Sequence, residues 1–570
     1  TKYADSLYDD IDALDWPETT KLAQKNWIGR SEGLLFTAAV KDTNLKVQTF
    51  SAHFESFYAD TFVVIAPDHP FLSALVAGTK DAKKVLDFAE GLIQKKMKEG
   101  PGVEREPEGI FTGRYIVDPV GNGDLPIWIA NYAIADYGTG IVKASAHDER
   151  DFAFAKKYKI RLKPVLFPPD PVEAEKVRKL EICYTNMQNG LLSEPREFKG
   201  KRAGDYRGKI ADYAVERDFA VRKKNYRLHD WILSRQRYWG VPIPMINCQK
   251  CGYVPVPEKD LPIQLPPLQD FRPTDDGRSP LAKAMKWLEV KCPSCGGDAE
   301  RETDTMDTFV DSSWYFIRYT DPKNKKVFAD KKKMGKWLPV PMYIGGAEHN
   351  TMHLLYSRFF TKALHSLGLI NFSEPFLARR NHGVILGADS QKMSKSRGNV
   401  VNPDDYVKKY GSDTVRMFLA FMGPYENGGP WDPKAIVGVY RFLGRVWSLA
   451  DKKTGVGKRD KVFHKAIKKV GEDIENLRFN TAVSELMKLL NEIENSELSK
   501  EETETFLKLL APFAPHLAEE LWHQLGNKKS IHLEPWPEYD PKLIKEEKIK
   551  LVIQVNGRAR DVIEISPDAE

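Results

Sequence analysis

The sequence predicts an α/β chain. A doubly wound, Rossmann-type domain is interrupted by a β-rich insertion and a cysteine module, and an α-helical bundle follows. Three observations predict it. Short β-rich runs between Gly and Pro turns fill residues 31–215, among them Thr61-Phe62-Val63-Val64-Ile65 and Ile127-Trp128-Ile129. Two Cys-x-x-Cys-Gly pairs are separated by the 40 residues between Cys251 and Cys292. From about Ala435 to Leu525 apolar residues recur at helical spacing.

Composition narrows the class. The 570 residues give room for about four domains. The 42% hydrophobic content is broken by charge throughout, with no run of membrane-spanning length, so no membrane partner is expected. The opening TKYADSLYDDIDALDW is acidic and amphipathic, unlike a signal or transit peptide, which makes a cytoplasmic location the expectation. A net charge of +6 suits an RNA partner without demanding one. Four of the five cysteines fall in the two pairs, which argues for a metal site in a reducing compartment rather than a disulfide framework.

In chain order, residues 1–30 read as a helix with Tyr3, Leu7, Ile11 and Leu14 on one face, stopping at Trp16-Pro17, then a short helix through Trp27. The insertion, 31–215, carries Asp136-Tyr137-Gly138-Thr139-Gly140 followed by His147-Asp148-Glu149-Arg150-Asp151. Glycines let backbone approach a ligand, and the carboxylates suit an ammonium group or a water; each piece also has a plain reading, as a turn and as an acidic helix start. Residues 216–246 return to the first domain through Tyr226 to Pro244, where Arg235, Arg237, Tyr238 and Trp239 suit an RNA surface or a domain seam.

Residues 247–300 form the cysteine module, whose Cys248, Cys251, Cys292 and Cys295 supply the four thiolates of a closed, structural Zn2+ shell. The Pro-rich stretch between the pairs should be an excursion, and the lone Cys183 an ordinary half-buried residue. In 301–430, Tyr343-Ile344-Gly345-Gly346-Ala347-Glu348-His349 and His353 mark a strand-to-helix junction at a nucleotide-binding sheet. The loop Gly387–Pro403 holds Lys392-Met393-Ser394-Lys395-Ser396, two long-stemmed cations on a Gly- and Ser-rich loop, suited to holding a polyphosphate as charge builds on it. Residues 431–545 are a helical bundle with a capping box at Ser499 and Glu502, and 546–570 alternate about Asn556-Gly557 as a hairpin.

These motifs, over nearly all of the chain, resemble bacterial-type leucyl-tRNA synthetases of the class I aminoacyl-tRNA synthetases. The resemblance implies an inserted editing domain, a catalytic domain whose KMSKS loop closes Lys392 and Lys395 over ATP, and an anticodon-binding bundle. It implies that Gly346, Glu348, His349, His353, Met393, Ser394 and Ser396 line the ATP and adenylate pocket. In the editing pocket it implies Asp151 as the anchor for an α-amino group, with Asp148 and Thr139 beside it. Arg235 and Arg237 would lie near the tRNA 3' end. Leucine, ATP with Mg2+, Zn2+ and tRNA(Leu) are the implied ligands.

The chain departs from the family's pattern in two places. Where a Thr-Thr-Arg-Pro-Asp-Thr segment is expected it has Ser51-Ala52-His53-Phe54-Glu55-Ser56, leaving Ser51 and Ser56 as the hydroxyls, so editing of mischarged tRNA should be weak or lost. None of the 12 histidines forms a His-x-Gly-His. The expectation is a fragment, or one subunit of a split enzyme needing a separate N-terminal synthetase subunit, and inactive alone in aminoacylation. The alternatives are a non-catalytic tRNA-binding module and an aminoacyl-tRNA hydrolase.

Overall fold

The computed structural model describes residues 1–99, 106–135, 138–449, 455, 460–544, 549–555 and 558–565. The chain divides into two units. The first holds Thr1–Ala13, Lys21–Trp314 and Leu355–Ser366; the second holds Leu14–Thr20, Tyr315–Leu354 and Leu367–Glu570.

The first unit begins with the helix Ala4–Asp9, which tightens to a 3-10 turn over Asp10–Ala13, so the expected single helix is broken at Asp10; a second helix runs Glu18–Ile28. Leu7 and Ile11 are buried as their spacing predicts. The insertion is a seven-stranded mixed sheet of β1 (Ser31–Val40), β2 (Lys46–Ser51), β3 (Asp60–Ile65), β4 (Gly109–Val117), β5 (Asp124–Ala130), β6 (Ile141–Ser145) and β7 (Ala220–Asn225). Its order is β2-β1-β4-β5-β3-β6, with β7 also on β1, pairing Ser31 with Asn225 and Phe36 with Ala220. The sheet thus takes in residues beyond 215. In β1, Leu34, Phe36, Ala38 and Val40 alternate inward. In the central β3, Phe62, Val63, Val64 and Ile65 are all buried, because the strand has a core on each face.

The cysteine module is a four-stranded sheet made of two hairpins, Met245–Cys248 with Gly252–Pro255 and Glu289–Lys291 with Asp298–Arg301. Each Cys-x-x-Cys forms the turn of one hairpin, so the local sequence aims both thiols of a pair the same way. The Pro-rich stretch between the hairpins is mostly irregular.

In the second unit, Val340–Gly345 and Phe376–Asn381 pair in parallel, and Asp15 bridges Ala378. Val384–Leu386 lies parallel to Gly428–Pro430. This crossing needs glycine: a Cβ on Gly383 would fall 1.9 Å from the Gly428 nitrogen, and Gly428 sits at φ +64. Helices follow at Ile436–Trp447, Asp460–Glu475, Phe479–Ile493, Lys500–Leu510 and Pro515–Gln524. Val439, Val446, Leu486, Leu490, Phe506 and Leu510 are buried at their centre, each such side chain contributing about 1.5–3 kcal/mol. Both halves of the Ser499–Glu502 capping box form. Strands Ile549–Val555 and Arg558–Ile565 pair antiparallel as the hairpin pattern predicts, while Asn556 and Gly557 lie outside the described residues. No helix among the described residues is long and apolar enough to cross a membrane.

Candidate functional site

The lysine loop opens from the strand Val384–Leu386. Gly387 N–H donates to Gln391 O at 2.8 Å and Leu386 bridges Lys392, a small closed turn that fixes where Lys392 leaves the backbone. Asn399 ties the rest: its Oδ1 accepts from Ser394 N–H at 2.9 Å, and its Nδ2 donates to both oxygens of Asp389 at 3.1 Å. Ser394 and Ser396 hydroxyls are 3.2 Å apart, and Met393 packs against the bundle core. Lys392 and Lys395 are exposed and make no ion pair among the described residues.

In the same unit, Gly346 admits the next part of the site, since a Cβ there would meet Glu348 Oε2 at 2.1 Å. The Glu348 carboxyl is held below its ordinary range by its own backbone amide, then by the charges of His349, His382 and Lys392, which places the loop lysine within electrostatic reach of this turn. His353 opens the following helix with its ring centroid 6.2 Å from that of His349 and 5.6 Å from that of Tyr343. Burial lowers its pKa to about 4, so it is neutral at physiological pH.

Arg379 was not among the residues that motif or spacing singles out. It is fully buried, donates from Nη2 to Gly346 O at 2.7 Å, makes no ion pair among the described residues, and feels the charge of Glu348, while burial lowers its pKa. Strand alternation from Phe376 and Ala378 would place Arg380 inside instead.

The candidate residues of the insertion are differently furnished. Asp148 is the N-cap of the helix Glu149–Tyr158, its Oδ1 accepting from the amides of Arg150 and Asp151. Asp151 is buried, accepts from Tyr132 Oη–H at 2.9 Å and from Ser145 N–H at 3.3 Å, and burial followed by the charge of Asp148 pushes its pKa up to about 7. Thr139 donates its hydroxyl to Ile141 O at 2.8 Å. His69 accepts from Phe71 N–H at Nδ1, which leaves Nε2–H to donate to Thr139 O at 2.9 Å. Asp136 and Tyr137 lie outside the described residues. Ser51 ends β2, and Ser56 is buried at a kink in the 3-10 turn Phe54–Ala59. Arg207 crosses this segment, pairing with Glu55, donating to Ala52 O at 2.8 Å, and lying 4.3 Å over the Phe54 ring. The role of Tyr132 was not legible either, since it sits 19 residues from Asp151.

His147 is buried and fully used. Val165 and Leu166 amides donate to Nε2 at 2.9 and 3.1 Å, so Nδ1–H donates to Tyr184 O at 2.8 Å, and burial lowers its pKa to about 4. Cys183 is half-buried, as expected, and burial pushes its thiol up to about 12.

The two arginines part company. Arg235 pairs with Asp307, which also accepts from Trp231 Nε1–H at 3.4 Å, so Arg235 braces its own loop. Arg237 is exposed and makes no ion pair among the described residues. Nearby in the first unit lies a cavity of about 900 Å³ walled by Tyr3, Trp27, Trp231, Tyr356 and Phe359, with Trp231 and Tyr356 stacked at 4.2 Å.

The Sγ atoms of Cys248, Cys251, Cys292 and Cys295 all lie within 4.8 Å of one another. Tetrahedral zinc with bonds of about 2.3 Å separates its sulfurs by about 3.8 Å, so the cluster fits that ion.

Comparison with known proteins follows these divisions. The family described as "Leucyl-tRNA synthetase, editing domain" matches residues 25–215, "tRNA synthetases class I (I, L, M and V)" matches 216–429, and "Anticodon-binding domain of tRNA ligase" matches 460–570. A leucine–tRNA ligase of Clostridium perfringens (strain SM101 / Type A) is 41% identical over 594 residues, spanning 100% of this chain and 71% of the relative. One from Thermotoga maritima is 42% identical over 599 residues, spanning 100% and 72%. Among solved structures, the ternary complex of Agrobacterium radiobacter K84 agnB2 LeuRS with tRNA and LeuAMS superposes with a TM-score of 0.79 at 33% identity, covering 100% of this chain and 70% of that one.

Proposed function

The chain belongs to the leucyl-tRNA synthetase family of class I aminoacyl-tRNA synthetases, and from that premise we propose that it performs, as part of a leucine–tRNA ligase, the ATP-dependent charging of tRNA(Leu). The observation that carries the reading is the pair of uncommitted cations, Lys392 and Lys395, on a loop whose charge reaches the Glu348 turn.

In activation the leucine carboxylate attacks the α-phosphorus of ATP, the bond to the β-phosphate breaks, and leucyl-adenylate and pyrophosphate form. Transfer to the tRNA 3' end then releases AMP. Lys392 and Lys395 neutralise charge building on the phosphates, about 2.7–4 kcal/mol for each well-placed donor. Glu348 and His349 border the adenylate, and His353, neutral, offers a hydrogen-bonding ring without a competing charge. Gly346, Met393, Ser394 and Ser396 shape the pocket and the loop. Mg2+ accompanies ATP. Zinc on the four cysteines supplies a structural cross-link.

Arg237 meets the tRNA and Arg235 holds the loop that presents it. The reading includes an N-terminal synthetase part bearing His-x-Gly-His, in the same polypeptide or as a separate subunit. Support comes from relatives of which this chain spans 71%, and from the exposed Leu22, Trp27 and Ile232. Editing is weak or lost in this reading. The polar groups of the insertion pocket, Asp151, Thr139 and Glu55, already have partners in the protein.

Leucine-dependent ATP–pyrophosphate exchange by the complete enzyme tests the reading. Changing both lysines to alanine should reduce it by about a hundredfold or more, and a rate within about twofold of the parent would remove the assignment. Tight tRNA binding without exchange would point to a non-catalytic tRNA-binding module, and fast deacylation of norvalyl-tRNA by the chain to a hydrolase.

A further inference from the structure

One stretch of the second unit, Arg318–Trp337, carries eight basic and two acidic residues. Its excess of six equals the formal excess of the whole chain, 86 Lys and Arg against 80 Asp and Glu, so the other 550 residues are neutral on balance. The charge is presented rather than used. Arg318 is spent inward, donating to Asn324 O at 2.7 Å and Phe328 O at 3.0 Å, which folds the stretch back on itself. Lys333 pairs with the buried Asp321 at 2.6 Å. The remaining six, Lys323, Lys325, Lys326, Lys331, Lys332 and Lys336, are exposed and meet no carboxylate among the described residues. Asp330, the second acid, accepts from the amides of Lys332 and Lys333 as a helix cap. Lys331, Lys332 and Lys333 sit in the first turn of that helix, where its dipole favours acids over cations. Among the described residues, Lys331 and Lys332 bring the fold no ion pair in return. Two large aromatics flank the lysines, Tyr319 at 73% exposure and Trp337 at 64%.

We propose that Arg318–Trp337 is a docking surface for the sugar–phosphate backbone of tRNA. A patch of unpaired lysines attracts a polyanion through release of its counterions, and exposed aromatic rings at its borders suit unstacked bases. The inference rests on the reading that tRNA is the chain's partner, and it adds a surface which that reading does not require. The lysines lie on a surface loop and a helix of about two turns held by Arg318 and Asp321, so their removal leaves the fold intact.

The test is binding of a tRNA(Leu) transcript to the chain as a function of salt. Each phosphate contact on a duplex contributes a slope of about −0.9 in log K against log salt. Replacing Lys325, Lys326, Lys331 and Lys332 by glutamine should flatten the slope by about 3–4 and weaken binding at least about tenfold near 0.1 M salt. The same number of Lys→Gln changes on the helix Ala82–Glu99, at the exposed Lys83, Lys84, Lys96 and Lys98, should leave the slope within about one. An unchanged slope in the first variant overturns the proposal, and so does equal flattening in both, which would mean diffuse attraction. Loss of phosphatidylserine-vesicle binding in the first variant, with its tRNA slope intact, would give the surface to membranes instead. If the parent chain binds no tRNA even at low salt, the functional reading itself fails, and this surface with it.

Discussion

The lysine loop and the insertion pocket are furnished with the same kinds of groups, and they differ in what those groups are already doing. At the loop, backbone and amide contacts around Asn399 and Asp389 hold the chain in place while Lys392 and Lys395 stay unspent. In the insertion, the Thr139 hydroxyl, both oxygens of Asp151, both nitrogens of His69 and one oxygen of Glu55 are taken up by the protein's own donors and acceptors, while Glu55 Oε2 is buried with no hydrogen bond among the described residues. A ligand gains a hydrogen bond outright from an unspent donor; from a spent one it gains only the difference between two partners. Similar polar residues can thus be left unspent in one part of a chain and mostly spent in another.

Four measurements would sharpen or break that contrast. The largest effect belongs to the loop: the Lys392→Ala, Lys395→Ala double variant should lose two or more orders of magnitude in pyrophosphate exchange, while its thermal midpoint moves by less than about 1 °C, because neither ammonium contributes to the fold. A drop of several degrees would show the lysines to be structural after all.

Next comes pH. Burial depresses the folded pKa of His147 to about 4, well below the ordinary imidazole value of about 6.5, so its stabilisation is complete above about 6.5 and drains away as the pH falls toward 4. The urea midpoint followed by tryptophan fluorescence should reflect a loss approaching about 3 kcal/mol over that window. His147→Gln should flatten the profile. A parent profile that is already flat would mean the ring is accessible to protons.

Arg207→Ala should destabilise the insertion by about 2 kcal/mol. That is less than the about 3–5 of a fully buried pair, because Arg207 is 37% exposed while Glu55 is 3% exposed. Smallest is Tyr132→Phe, which removes one hydrogen bond to Asp151 for about 1 kcal/mol and should raise the Asp151 pKa further, readable by carboxyl NMR. Rapid deacylation appearing in Tyr132→Phe would mean that this hydroxyl alone had kept the pocket shut.

What was legible in the sequence was local. The alternation of Leu34, Phe36, Ala38 and Val40, the reciprocal caps of Ser499 and Glu502, the cysteine knuckles and the strand–Gly-Gly turn each depend on residues within a few positions of one another. What escaped depended on distant partners. The attachment of β7 to β1 joins residues nearly two hundred apart. The ion pair of Arg235 with Asp307 joins residues 72 apart. The break at Asp10 falls inside a stretch whose helical spacing continues unaltered, so periodicity could not mark it. Burial of Arg379 rather than Arg380 inverts the alternation that Phe376 and Ala378 establish, and Asp15, a partner from the far end of the chain, accounts for Arg380 staying outside.

The glycine crossing at Gly383 and Gly428 fixes the strand from which the lysine loop departs, and the Leu386 bridge to Lys392 closes the first turn of that loop. The ammonium of Lys392 is therefore a tethered reagent whose tether is little more than its own side chain. Its effective concentration around any phosphate within reach stands in the millimolar range or above, far beyond what a free amine in the surrounding solution would offer. Much of the entropy of bringing that charge to the phosphate is settled at folding, by two residues with no side chain, before a nucleotide arrives.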